Sequence, residues 1–531
     1  MKKLLALMLA LVMAFGCASA FAATQWGPTE PKSWLEDTSD VTLTVYVNMN
    51  WWTADWSDPV GQHIKELTGI DCKVVTPVAD DDTQLIMMLN NGEVPDIIIT
   101  ELYKNDLLQM MIDSGSVAAL DELAEEYAPE MFTNCDPDVW ENYKKDDGHT
   151  YWLTGFGISP YYMEKALEYN RLVQANQRVL LIREDYYQEI GSPDISTPEL
   201  FYEALVKMHE NHPDKIAYYE GDSNVSTANN ADVGMLSVYF GVPPFVENED
   251  GSLEMNYKSQ EWLDAVTYAN KLARAGLYTT DSFIDDDATQ QQKKFNGDVI
   301  CYSWTAIEHE LAIEDSRYIC VEPWDSYRDY RTSTGWTVAL IGATSEHKDR
   351  AIRFMSFMNA YEGILAYCGF EDTEGTGYSG DPMVGPHYYI DENGKPCEYP
   401  EYIQAMTEDG SLQAHCGATM YWWFGNTVSN NLYMWDASDE KYIYLNEQYG
   451  PKVVNRADFA NSVIAPDSDS DAATVLSKYR SIYNRHLIDI VFAEDDAAFD
   501  AAVKAFYAAM DEIGISTLEE AYTEKHRAAG Y

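Results

Sequence analysis

Between residues 41 and 100, three runs of β-branched and aliphatic residues alternate with two amphipathic segments. Val41–Val47 (VTLTVYV) alternates apolar and polar positions, the period of a half-buried strand. Asp58 and Pro59 then mark a helix start, Val60, Ile64 and Leu67 fall on one face, and Gly69 marks the stop. Ile70–Val75 reads as a second strand. Asp81 or Asp82 opens a second helix, with Leu85, Met88 and Leu89 on its apolar face and Gly92 behind it. Pro95–Thr100 is a third strand, apolar over Ile97–Ile99 as expected when both faces are covered. This β-α-β-α-β order predicts a doubly wound, mostly parallel sheet. In such sheets ligands sit beyond the carboxyl ends of the strands, which directs attention to the loops after residues 47 and 100.

The same alternation continues. Tyr151–Leu153, Val179–Arg183, Asp298–Tyr302 and Thr337–Ile341 read as strands. Thr197–His209, Glu261–Ala275 and Lys348–Met358 read as helices, and the chain is helical from about Ala472 to its end. With 531 residues it is long enough for two or three domains. Asp plus Glu is 88 against 35 Lys plus Arg, a formal charge of −53. That excess argues against nucleic-acid binding, which relies on cations neutralising phosphate. It also weighs against anionic membranes and polyanionic ligands, so a neutral ligand fits better.

Lys2-Lys3 followed by the apolar run Leu4–Phe15 is a secretory signal, too short to span a bilayer. Ala18-Ser19-Ala20 or Ala20-Phe21-Ala22 offers a cleavage site. Gly16-Cys17 resembles the end of a bacterial lipobox, which makes Cys17 a candidate for lipidation, although Ala14-Phe15 matches that box poorly. Both routes stay open, and both place the protein outside the cytoplasm. Without Cys17 seven cysteines remain, widely spaced and with no CxxC, so scattered buried thiols with at most one bridge are expected and no zinc site.

Six segments carry a family resemblance. They are GEVPDIII (92–99), LDELAEEYAPE (120–130), GHTYWLTGFG (148–157), LLIREDYYQEIGSPDISTPELFYEAL (180–205), KKFNGDVICYSW (293–304) and TSEHKDRAIRFMSFM (344–358). In this order they resemble the bacterial extracellular solute-binding proteins of the sugar-binding group (family 1), receptor subunits of ABC importers. Thr154 or Gly155 stands where that family usually has Pro. The resemblance implies a two-lobed periplasmic-binding-protein-like α/β fold (type II), each lobe a mostly parallel sheet flanked by helices, with ligand in the cleft. It implies a monomer that delivers a neutral oligosaccharide to permease subunits, without cofactor, metal or catalytic residue. On this reading residues 1–23 are the signal and 24–40 a linker. Residues 41–120 with 335–385 form lobe 1, and 121–334 with 386–531 form lobe 2.

A sugar ring needs a flat apolar platform with short polar side chains around it. Burying about 100 Å² of apolar surface is worth roughly 2–3 kcal/mol. The loop after the first strand supplies Trp51, Trp52 and Trp56, with Asn48, Asn50, Thr53 and Asp55 beside them. The segment MYWWFGN (420–426) supplies Tyr421, Trp422, Trp423 and Asn426. Trp152, Trp304 and Trp336 lie at strand ends, Glu101 and Arg183 are candidate polar contacts, and Tyr378 sits in a glycine-rich loop. Each ring has a packing role as its alternative, Trp56 most of all. The GxGxxG match at 375–380 opens no helix after a strand and carries no nucleotide site. Asp467–Asp471 lacks the glycine and bidentate glutamate of a calcium loop and reads as a helix cap. His209 and His212 form no HExxH. Two alternatives remain at this level: a secreted carbohydrate-active hydrolase or lyase, and a receptor of the same fold for peptides or another small solute.

Overall fold

The first helix forms where its punctuation puts it. Asp58 accepts the Gly61 N–H at 2.7 Å, Pro59 occupies the first turn, and the helix Pro59–Thr68 ends on Gly69 at φ 71°. A Cβ at Gly69 would lie 2.2 Å from the Thr38 carbonyl oxygen, so only glycine fits. The computed structural model describes residues 29–531 except 51, 53, 80, 103, 136–139, 141–142, 146, 156–177, 221–232, 286, 314, 333–335, 392–395, 409–414, 418–420, 422–423, 425–439, 460–463 and 468–469. The signal segment and Cys17 lie outside the described residues.

The described strands include β1 (Val41–Val47), β2 (Ile70–Val75), β3 (Ile97–Glu101), β4 (Leu153–Gly155), β5 (Arg178–Arg183), β6 (Ile216–Tyr219), β7 (Phe245–Glu247), β8 (Leu253–Met255), β9 (Val299–Thr305), β10 (Leu311–Ile313), β11 (Ser316–Cys320), β12 (Asp329–Arg331) and β13 (Thr337–Ile341). The chain divides into two compact units, Met1–Lys165 with Gly335–Trp435, and Ala166–Thr334 with Asp436–Tyr531.

The sheet of the first unit has the order β2-β1-β3-β13-β4. β1 runs parallel to β2 (Val41 opposite Ile70) and to β3 (Val45 opposite Ile97). β13 returns antiparallel to β3, with Thr337 opposite Glu101, and pairs antiparallel with β4 on its other side. Asp96 locks this register from below: it accepts the Thr44 N–H at 2.8 Å and the Ser345 hydroxyl. Ile97–Ile99 and Val338–Ile341 are all fully buried, at about 1.5–3 kcal/mol of hydrophobic stabilisation per large side chain.

The described residues within 121–155 and 386–424, assigned on sequence to the second lobe, lie in the first unit. The helix Leu120–Tyr127 packs on the helix Lys348–Asn359, and β4 extends the first sheet. The 24–40 linker expectation also changes over its described part. Trp34 is buried edge-on against Phe357 at 5.6 Å, and Ser33 donates to the buried Glu130 carboxylate, which also accepts from Ser356 at 2.6 Å. A locally polar stretch is thus held by partners far away in sequence.

The sheet of the second unit has the order β10-β11-β5-β9-β6. Only β6–β9 is a parallel pair; β5–β9, β5–β11 and β10–β11 are antiparallel. The α/β class stands, but this sheet is not mostly parallel. Strands buried on both faces read as apolar runs whichever way they point, so composition does not carry direction. Thr197 and Ser259 cap the helices Pro198–Asn211 and Gln260–Arg274. Ser470 and Asp495 cap the first two of three C-terminal helices, Asp471–Val491, Asp496–Ile513 and Ile515–Ala528. Ser470 thus gives the 467–471 turn its helix-cap role. The core stacks Trp262 on Phe506 at 5.4 Å and packs Trp324 against Tyr239 at 4.9 Å.

Of the seven described cysteines, six are buried and Cys397 is half-buried. No helix among the described residues is long and apolar enough to cross a membrane. One buried amide ties the C-terminal helices to the rest of the second unit. Asn270 Nδ2 donates to the carbonyls of Val491 at 3.0 Å and Ala493 at 2.9 Å, satisfying acceptors at a helix end. Asn270→Ala should lower the unfolding free energy by about 1–3 kcal/mol, because these acceptors stay buried without a donor. Urea unfolding followed by circular dichroism measures it, and a wild-type midpoint would contradict the assignment.

Candidate functional site

The carboxyl ends of β1 and β3 gather a continuous polar chain. Asn48, one residue past β1, is buried, and its Nδ2 donates to Asp82 Oδ1 at 2.7 Å and to Thr100 Oγ1 at 3.1 Å. Lys104 Nζ donates to the same Asp82 oxygen at 2.9 Å and lies 3.5 Å from Glu101 Oε2. Glu101 Oε1 accepts the indole N–H of Trp336 at 3.1 Å. The Trp336 backbone is held on both sides, its N–H on the Gly155 carbonyl at 2.8 Å and its carbonyl under the Leu102 N–H at 2.7 Å. The ring itself is half-buried. Backbone pairing plus a carboxylate on Nε1 fixes the plane of this indole before any ligand arrives, at a strand edge where ligands bind in this class of sheet.

The electrostatics are self-contained. Burial works against the Lys104 ammonium, but Asp82 and Glu101 outweigh it and hold its pKa above the ordinary lysine value. Burial, reinforced by Asp82 and Asp81, pushes the Tyr46 phenol up to about 12.

Of the sequence-derived candidates, Glu101 and Trp336 therefore come together. Trp152 and Trp52 do not join them as open platforms. They are 2% and 7% exposed, Trp152 under Lys145 Nζ at 4.6 Å and Trp52 donating to the Ala54 carbonyl at 2.6 Å. Both rings are core members, which corrects the platform reading for these two. Asn50 is exposed. Trp51, Trp422 and Trp423 lie outside the described residues, as do Thr53 and Asn426.

The residues flanking those three show why the two aromatic segments share a theme. Trp56 is fully buried and packs edge-on to Tyr421 at 4.3 Å and to Phe354 at 5.7 Å. The Tyr421 hydroxyl donates to Asp58, the cap of the first helix. Burial holds the Asp58 carboxyl above its ordinary value despite that bond and the Gly61 N–H. Asn359 Nδ2 donates to the Phe424 carbonyl at 3.1 Å. Trp56 of the loop after β1 thus meets Tyr421 and Phe424 in the core of the first unit.

The loop carrying Tyr378 is pinned by Asp372. Its carboxylate accepts the Tyr399 hydroxyl at 2.5 Å and the N–H groups of Thr376 at 3.0 Å and Gly377 at 2.8 Å, which together hold it well below the usual carboxylate range. Tyr378 is half-buried, edge-on to Tyr402 at 5.8 Å, and its buried hydroxyl has no hydrogen-bond partner among the described residues. Beneath this loop the His387 Nδ1 accepts the Phe370 N–H at 2.8 Å, and Nε2 faces the Pro382 carbonyl at 2.7 Å.

In the second unit Trp304 is half-buried at the end of β9, with Lys294 Nζ 5.6 Å from its ring. Lys294 donates to Glu308 at 2.7 Å, and the Tyr302 hydroxyl reaches the same carboxylate. Arg183, by contrast, is spent internally on Asp185 and on the Gly297 carbonyl, both at 2.7 Å. Sequence reasoning missed Glu220. It is fully buried just past β6 and accepts the Tyr218 hydroxyl at 2.6 Å, the Met235 N–H at 3.2 Å and the Ser303 hydroxyl. A lone glutamate after an apolar run carries no signal of this. Among the described residues no group of three or more His, Cys, Asp or Glu is placed to hold a metal ion.

No family profile matches the chain. It is 28% identical over 114 residues to lipoprotein LipO of Bacillus subtilis (strain 168), a match covering 20% of this chain and 23% of LipO. Solved structures match nearly end to end. The ABC-transporter substrate-binding protein FusA of S. pneumoniae, in complex with kestose, superposes with a TM-score of 0.66 at 13% identity, over 92% of this chain and 99% of FusA. Alginate-binding protein AlgQ2 gives 0.63 at 13% identity, over 92% of this chain and 98% of AlgQ2. The N-glycan transport solute-binding protein NgtS of Streptococcus pneumoniae gives 0.59 at 14% identity, over 92% and 99%. The chain therefore has the fold of ABC-transporter substrate-binding proteins, as the resemblance of its motifs implied.

Two measurements test the site as described. Lys104→Met should destabilise the protein by about 1–2 kcal/mol by leaving Asp82 and Glu101 facing one another, and adding Asp82→Asn should recover part of that loss. Equal unfolding midpoints for wild type and single variant would remove Lys104 from its bridging role. Burial depresses the His387 pKa, so the unfolded chain takes up that proton first as pH falls below about 6.5. Its contribution to stability is therefore complete above that pH and declines below it. An NMR titration should place the His387 midpoint below 6.5; a midpoint above it would reverse the sign.

Proposed function

We propose that this chain is an extracytoplasmic solute-binding protein that captures a neutral oligosaccharide and delivers it to the membrane subunits of an ABC importer. The observation that carries the reading is the end-to-end match of fold to FusA and NgtS, one in complex with kestose and the other a protein of N-glycan transport. The site chemistry supports it. Trp336 and Trp304 each offer a half-buried indole at a strand end with carboxylate and ammonium groups beside it, the mix of apolar face and polar rim that a sugar requires. The preference for a neutral sugar follows from charge. Lys104, which shares Glu101 with Trp336, and Lys294, beside Trp304, are each tied to a carboxylate, and the chain carries −53 overall. Neither of these two lysines would be free to meet a polyanionic glycan.

On this reading no residue does bond chemistry, and the sugar leaves unchanged. The N-terminal signal supports an extracytoplasmic location, and the name of the relative LipO supports a lipid anchor at Cys17.

A glycan array followed by calorimetry tests the proposal. Neutral oligosaccharides should bind saturably, raise the melting temperature, and be recovered intact after prolonged incubation. At 100 Kd of free sugar the stabilisation should be about 2.7 kcal/mol. Trp336→Ala should weaken that sugar by about 1–3 kcal/mol, roughly ten- to hundredfold. Release of shortened sugar with turnover would replace the receptor by a carbohydrate-active enzyme. Binding of peptides alone would move it to another ligand class.

A further inference from the structure

The first unit carries one open apolar groove apart from the polar chain just described. It lies between the loop that follows β2 and the outer face of the helix Thr83–Asn90 and has a volume of about 460 Å³. Pro77, Val78 and Ala79 form one wall; Met87 and Met88 form the other. Val78 is 95% exposed and Met87 59% exposed, a cost in apolar hydration that a free monomer gains nothing by accepting. The helical side is built from one stripe, since Thr83, Met87 and Asn91 follow at four-residue spacing. Asp81 and Glu93 stand at the rim, and among the described residues no cation lines the groove.

We infer that this groove is the docking surface for a membrane subunit of the importer, and that it takes an apolar segment of that subunit flanked by lysine or arginine. The inference rests on the receptor reading given above. Three observations select this occupant. The lining has no aromatic ring, so it offers no platform for a sugar, whereas flexible methionines suit a protein segment laid into a groove. The acidic rim and the charge of −53 repel a second copy of the chain and an anionic lipid surface, and favour a basic partner. The groove also adjoins the candidate site. Asp81 on its rim is followed by Asp82, the carboxylate that holds Asn48 and Lys104. A subunit that receives the ligand has to sit close to where the ligand is held.

The test uses the full-length protein in its own cells. A photo-crosslinking amino acid at position 78 should form an adduct with an integral membrane protein, identified by mass spectrometry as a transporter subunit. Separately, Val78→Asp with Met87→Glu should leave the melting temperature and the sugar affinity of the purified protein unchanged, while uptake of the same labelled sugar falls at least tenfold. Wild-type uptake by this variant, or irradiation that yields no membrane-protein adduct, would overturn the docking assignment. If the wild type binds no sugar at all, the receptor reading fails by itself, and the crosslink still decides whether the groove meets a membrane partner.

Discussion

Much of the first unit depends on one pairing, that of β13 with β3. β3 is buried along its whole length, parallel to β1 on one side and antiparallel to β13 on the other. The chain leaves after β4, builds most of the second unit, and returns as β13 to fill the place between β3 and β4. Setting Thr337 opposite Glu101 brings the preceding residue, Trp336, onto the Glu101 carboxylate. The polar chain through Lys104, Asp82 and Asn48 is then a consequence of strand register. A slip of one residue would turn Glu101 to the other face of the sheet and leave Lys104 with a buried carboxylate fewer.

The aromatic residues divide by backbone position more than by type. Trp56, Trp152 and Trp262 are interior rings that join elements, and Trp56 brings the β1 loop to Tyr421. Trp336 and Trp304 sit at strand ends and are only half-buried. An indole whose N–H and backbone are already bonded loses little freedom on meeting a ligand, which is how a small number of rings can support useful affinity. The chain's acidity is organised in a similar way. Lys104, Lys294 and Arg183, all near strand ends, each have a carboxylate partner.

A good part of this was legible in the sequence. The caps at Asp58, Thr197 and Ser470, the glycine stop at Gly69 and the β1–β2–β3 alternation are local, and local rules read them correctly. Glu101 and Trp336 were legible as strand-end residues, and their meeting was not, since it needs the register of two distant strands. Trp152 and Trp52 looked the same as Trp336 on paper, and only packing separates a ring in the core from a ring at its edge. The antiparallel strands of the second sheet, the buried Glu220 and the anchoring of Trp34 were invisible because direction, burial and distant partners leave no trace in neighbouring residues.

By itself the sequence determined the element order, the helix ends, the acidity and the supply of rings and amides after the strands. Those follow from dihedral preference, capping and charge, each of which acts within a few residues. The tertiary structure alone decided which carboxylate meets which indole, which tryptophans stay half-buried, and that the described residues within 121–155 lie in the first unit. Such choices are made by contacts between segments hundreds of residues apart, whose free energy appears only when the strands between them have paired.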